Sequence, residues 1–141
     1  MPALVLKLAP LQNPERYRQL ASALTDLTVH WLGKRREVTA VVIDDLPAAR
    51  WHVGGDPVAR PTALLEISIT QGTNTPAEKA AFIQAAFAEL QRQLAAEGAL
   101  EPASYVMVRE LPAQDWGYGG ITQLARQQAR AVDAGLALQP G

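Results

Sequence analysis

Two textures alternate along the chain. Residues 3–8 and 62–70 are apolar, partly β-branched runs of strand length. Lys7 and Glu66 interrupt them, which predicts strands with one face less buried than the other. After each run the apolar period lengthens. Leu20, Leu24, Leu27 and Trp31 follow a helical stripe, as do Ile83, Phe87, Leu90 and Leu94. Asn13-Pro14-Glu15 reads as an N-cap, a first-turn proline and an acidic first turn, and Thr75-Pro76 with Glu78 repeats that signal. Gly33 and Gly98 are the expected helix stops. Second strands are expected over residues 38–43 and 105–108, and a weaker third helix over 121–134. Residues 135–141 read as a frayed tail.

The elements come in two sets because the chain repeats itself. Leu46-Pro47 followed by Trp51-His52-Val53-Gly54-Gly55 returns as Leu111-Pro112 followed by Trp116-Gly117-Tyr118-Gly119-Gly120, an offset of 65 residues (46 to 111, 51 to 116). The helical positions from Glu15 to Trp31 match those from Glu78 to Leu94 at an offset of 63, and Pro2 matches Pro61 at 59. The growing offset places the length differences in loops. The expectation is one α+β domain over 1–141, with β-α-β units at 2–58 and 61–120 and a C-terminal extension at 121–141. Each unit gives a parallel strand pair with a right-handed crossover. Together they make a four-stranded sheet with two helices on one face. The other face is left uncovered, so self-association is expected.

Composition narrows the possible partners. The chain is 48% hydrophobic and 19% charged, with a net charge of −1. Its only dense basic cluster, Lys34-Arg35-Arg36, reads as a solvated helix-end cap. Nucleic-acid binding therefore has no electrostatic support. There is no cysteine, and His30 and His52 read as structural and turn residues, so neither a metal nor another cofactor is expected. The apolar opening at residues 3–6 is broken by Lys7 and ends at Pro10, too short for a signal core or a membrane span. No membrane partner is expected, and the cytoplasm is the default location.

The opening Met1-Pro2-Ala3, the repeat, the Gly54-Gly55 and Gly119-Gly120 exits and the run from Leu111 to Gly120 resemble the tautomerase superfamily. The duplication is similar to its fused 4-oxalocrotonate tautomerase-like members. That resemblance implies a trimer of fused chains, a small-molecule substrate and Pro2 as an amine catalyst once Met1 is removed. An α-amino group ordinarily titrates near 7.7–8.0. Desolvation or a nearby cation lowers that value and leaves a neutral base at pH 7. Pro61 is a tertiary amide within the chain and reads as a strand start.

Family members that bind dianions usually carry arginines at the end of the first strand and on the second. Here those places hold Gln12 and Thr73, and Ala40 and Tyr105. The departure points to a monoacid or uncharged substrate. Arg109, on the same strand face as Tyr105, and Arg50, before Trp51, are the substitute cations. Gln12, Tyr105 or Arg109 would stabilise an oxyanion. Trp51 or Trp116, from this chain or a neighbour, would wall the site.

The favoured expectation is an isomerase interconverting keto and enol forms of a small 2-oxo compound. The alternatives are a Pro2-dependent hydratase, dehalogenase or decarboxylase, for which Asp44, Asp45, Glu110 and Asp115 are the available acids, or a non-catalytic binding subunit.

Overall fold

A computed structural model describes residues 2–138. Strand β1 (Ala3–Ala9) leads into helix α1 (Pro14–Leu32) and strand β2 (Ala40–Asp45). Two short strands, β3 (His52–Val53) and β4 (Asp56–Pro57), form a hairpin, and β5 (Thr62–Thr70), helix α2 (Pro76–Leu94) and β6 (Tyr105–Leu111) repeat the unit. A second hairpin, β7 (Gly117–Tyr118) with β8 (Ile121–Thr122), precedes helix α3 (Gln123–Leu138). No helix among the described residues is long and apolar enough to cross a membrane.

Both main helices begin as the sequence predicts. The Asn13 side chain accepts from the Arg16 N–H at 2.9 Å. Thr75 and Glu78 close a reciprocal capping box. Gly33 ends α1 at φ +68, where its N–H reaches the Val29 carbonyl. Helix α2 stops earlier than expected, at Leu94 rather than Gly98. The Gln91 side chain explains this. Its amide nitrogen donates to the Ala95 and Gly98 carbonyls and its oxygen accepts from the Leu100 N–H, so it holds a turn where a glycine cap was expected.

The second strands are also displaced. Arg36–Val38 forms a 3-10 turn, with the Thr39 N–H on the Arg36 carbonyl and its hydroxyl on that of Arg35, so β2 starts at Ala40. Strand β6 runs on to Leu111 because Leu111 pairs with Thr70. Helix α3 continues through Gly135 to Leu138, which shortens the expected tail; residues 139–141 lie outside the described residues.

The sheet order is β2-β1-β5-β6, with parallel outer pairs and an antiparallel central pair. Alternation sorts its side chains into two faces. Leu4, Leu6, Leu8, Leu65, Ile67 and Ile69 pack under the helices with Leu20, Leu24, Phe82, Ala86 and Leu90. In α2 the innermost line is Phe82, Ala86, Leu90 and Gln93; Phe87 and Leu94 lie beside it, and Ile83 is exposed. Among the described residues, no element packs across the opposite face. Across it run three rows in register: Ala40, Ala3, Ser68, Arg109; Val42, Val5, Glu66, Met107; and Asp44, Lys7, Leu64, Tyr105. Val42 is 58% exposed and Tyr105 61%.

The duplication extends to individual hydrogen bonds. Arg50 and Asp115 each donate to the carbonyl of a proline three residues back, Pro47 and Pro112. The carbonyls of Trp51 and Trp116 each accept from a backbone N–H seven residues on, at Val58 and Gln123, both at 2.9 Å. Each hairpin turns on two glycines with positive φ, Gly54-Gly55 and Gly119-Gly120, the backbone that a tight hairpin requires. Gly117 has a different constraint, because a Cβ there would collide with the Ile121 carbonyl. Gly117→Ala should therefore open the β7–β8 hairpin while leaving the main sheet intact. Amide exchange would show faster exchange confined to residues 117–123.

Candidate active site

The antiparallel centre of the sheet decides what can meet. Strand β1 starts where β5 and β6 end, so Pro2, Lys34, Thr73, Glu110 and Trp116 gather at one end. Gln12, Arg50, Trp51, Pro61 and Tyr105 gather at the other. The two ends are separated by the length of β1, about 20 Å at roughly 3.3 Å per residue. Within one chain, Arg109 and Trp116 share Pro2's end, whereas Gln12, Tyr105, Trp51 and Arg50 do not. The topology that separates these groups lies in how the two halves join, which motif spacing does not report.

Pro2 is buried at the lip of the sheet, and its carbonyl accepts from the Ala40 N–H at 3.2 Å. It shares the helix-side parity of Leu4 and Leu6; Arg109, in register with Ser68 and Ala3, belongs to the open face. Lys34 departs from the reading of a solvated cap. It is half buried and its ammonium donates to the Thr73 hydroxyl at 2.9 Å. Burial lowers its pKa from the ordinary lysine value, and Glu78 and Glu110 partly offset this. A lysine directly after a helix-ending glycine is the sequence signal that could have singled it out. Arg35 and Arg36 remain exposed, beside Glu37 and Asp26.

Glu110 accepts from Lys79 at 3.1 Å. The indole N–H of Trp116 is buried without a partner among the described residues, and a hollow of about 270 Å³ opens beside it, bordered by Asp115, Gly120 and Ile121. A larger hollow, about 640 Å³, lies between α1 and α2 among Arg16, Arg18, Asp26 and Arg92. The described residues contain no group of three or more His, Asp or Glu placed to hold a metal ion.

At the far end, Gln12 turns inward on its own loop, its side chain donating to the Pro10 carbonyl and its N–H to Asp45 at 3.0 Å. The Tyr17 hydroxyl also donates to Asp45. These bonds, Tyr17's first, lower the Asp45 pKa from its ordinary carboxyl value. The stability this pair contributes is present above the unfolded carboxyl pKa, about 3.9, and is lost as pH falls through the lower folded value. Tyr17→Phe should therefore start acid unfolding at a higher pH, read by circular dichroism across an acid titration. His30 stacks edge-on against Trp31 with ring centroids 4.7 Å apart, and His52 lies in β3.

Residues 2–60 match the family described as Tautomerase enzyme. The F6 fused 4-OT, a wild-type asymmetric trimer, is 28% identical over 88% of this chain and 98% of its own, with a TM-score of 0.76. The Q0 fused 4-OT, a wild-type symmetric trimer, is 25% identical over the same shares, with a TM-score of 0.75. Pt0534, solved after inactivation by 2-oxo-3-pentynoate, shares the fold at 18% identity over 88% of this chain and 98% of its own, with a TM-score of 0.74. No match was found among curated proteins. The tautomerase match thus lies in the first half of the chain, and the fold over most of the chain is similar to that of fused 4-OT proteins.

Proposed function

We propose that this protein is a cofactor-independent keto–enol tautomerase acting on a small 2-oxo or enol compound, with the amine of Pro2 as its base after Met1 is removed. The observation that carries this reading is the burial of Pro2 at the lip of β1, where its carbonyl alone is needed to hold the sheet. Burial disfavours the ammonium form, and the positive charge of Lys34 at the same end acts in the same direction. Pro2 takes a proton from one atom of the substrate and returns it to another. Trp116 walls the site.

Gln12, Tyr105, Trp51 and Arg50 contribute only if a neighbouring chain brings its far end to Pro2. The fused 4-OT relatives are trimers, and the open sheet face here supports self-association into the same kind of homotrimer. We place the protein in the cytoplasm. Hydration chemistry needs a free carboxylate near the amine; Glu110 is bound to Lys79, and Asp45 is bound to Tyr17 at the far end, so that alternative would rest on Asp115, beside Trp116.

The test is intact mass before and after incubation with 2-oxo-3-pentynoate, the electrophile that inactivates Pt0534. The expected result is a chain lacking Met1 that gains one adduct, mapped to Pro2. A retained methionine, or an adduct elsewhere, overturns the reading.

A further inference from the structure

The turn between β5 and α2 grips the end of α1 from two directions. The Asn74 side-chain amide donates to the carbonyl of Leu32, the last residue of α1, at 3.0 Å. Two residues on, the Lys34 ammonium donates back to the Thr73 hydroxyl at 2.9 Å. A hydroxyl has one proton to give, and Thr73 gives its own to the Thr70 carbonyl at 2.6 Å. The lone pairs of Thr73 are therefore left for Lys34, and the ammonium is tied through one side chain to the last residue of β5. That residue lies beside the start of β1, because the two strands are antiparallel with Ala3 opposite Ser68.

The charged groups around Lys34 are Glu78 and Lys79 on α2 and Glu110 on β6. Among the described residues, neither carboxylate forms an ion pair with Lys34. Glu78 accepts from the Thr75 N–H in the capping box, and Glu110 accepts from Lys79. Lys34 thus keeps its charge without a direct counter-charge at the end of the sheet where Pro2 opens β1. A lysine head on a flexible four-carbon stem otherwise turns out into water, so keeping it in place needs a holder. We infer that Thr73 is a positioning residue: with Asn74 pinning the end of α1, it fixes the Lys34 ammonium at the Pro2 end of the sheet, so that the charge bears on the Pro2 amine. The inference rests on the tautomerase reading and adds to it an uncharged residue that acts through another.

The test titrates the Pro2 nitrogen by NMR in protein carrying nitrogen-15-labelled proline. Once Met1 is removed, Pro2 is the one proline nitrogen outside a peptide bond, so its signal alone follows an amine titration. Lys34→Met should raise the midpoint by roughly 1 pH unit, because a nearby cation disfavours the ammonium form. Thr73→Val keeps the side chain's shape but loses both of its hydrogen bonds, and should reproduce most of that rise. Thr73→Ser restores the hydroxyl and should titrate as wild type does. The double variant Thr73→Val/Lys34→Met should go no further than Lys34→Met alone, since both changes remove one effect. Four results overturn the inference: a valine variant that titrates as wild type, a Lys34→Met midpoint that does not rise, a serine variant that behaves as the valine one, or additive shifts in the double variant. A wild-type protein in which no proline nitrogen titrates overturns the tautomerase reading beneath it instead. Thr73 is exposed, so the variants should fold, which circular dichroism checks. Thr73→Ala takes the place of Thr73→Val if the latter does not.

Discussion

In Pro2→Ala, turnover of a tautomerisable enol such as phenylenolpyruvate should fall by a factor of about 10²–10⁴, the usual contribution of a positioned general base. The fold should survive the change. The sheet uses the carbonyl of residue 2, which holds the Ala40 N–H, and alanine supplies the same carbonyl. Alanine also leaves an amine, but a primary one that can rotate, whereas the pyrrolidine ring fixes the nitrogen's direction. Melting temperature should therefore stay near that of wild type while kcat falls. In wild type, the acidic limb of the kcat/KM profile should report an amine titrating below its ordinary value of about 7.7–8.0. Unchanged turnover in the variant would end the tautomerase proposal.

Phe82→Ala should give the largest loss of stability, about 3–5 kcal/mol. Phe82 is fully buried on α2 and packs in one cluster with Leu6, Leu65 and Leu90, leaving no route for water to fill the space. Removing the ring forfeits its transfer energy and leaves a cavity the rigid sheet cannot close. Ile83, one residue along and 37% exposed, is the control: Ile83→Ala should cost about 1 kcal/mol or less. Urea denaturation of the two variants measures both values, and a loss at position 83 equal to that at position 82 would contradict the packing described.

That pair also shows where the sequence stops being readable. A helical stripe fixes a face only to within one residue: the periodicity pointed to Ile83, Phe87, Leu90 and Leu94, and of these Leu90 lies on the innermost line, which Phe82 and Ala86 share. Ala86 is too small to register in a hydrophobic pattern. Local signals were legible where one residue does the work. Asn13 and Thr75 cap as their chemistry predicts; the Gly-Gly pairs, read as strand exits, turn hairpins that the sequence reading did not include. The end of α2 was not legible, because Gln91 reaches up to nine residues ahead to build it. Of the candidate site, Pro2, Arg109 and Trp116 share one end of the sheet, but the remoteness of Gln12 and Tyr105 follows from the antiparallel β1–β5 pairing. That pairing is a tertiary fact with no local signature. Lys34 was misread for a related reason: what half buries it is a turn near Thr73, 39 residues away.

The antiparallel joining of the two halves has a further consequence. Each half opens with a proline at a strand start, but Pro61 has its nitrogen inside a peptide bond, so only one of the two starts can ever present an amine. Two strand starts that match in sequence thus differ in what their nitrogens can offer. On the proposed reading, side chains around Pro61 would meet an amine only where another subunit presents one, so their constraint would come through assembly.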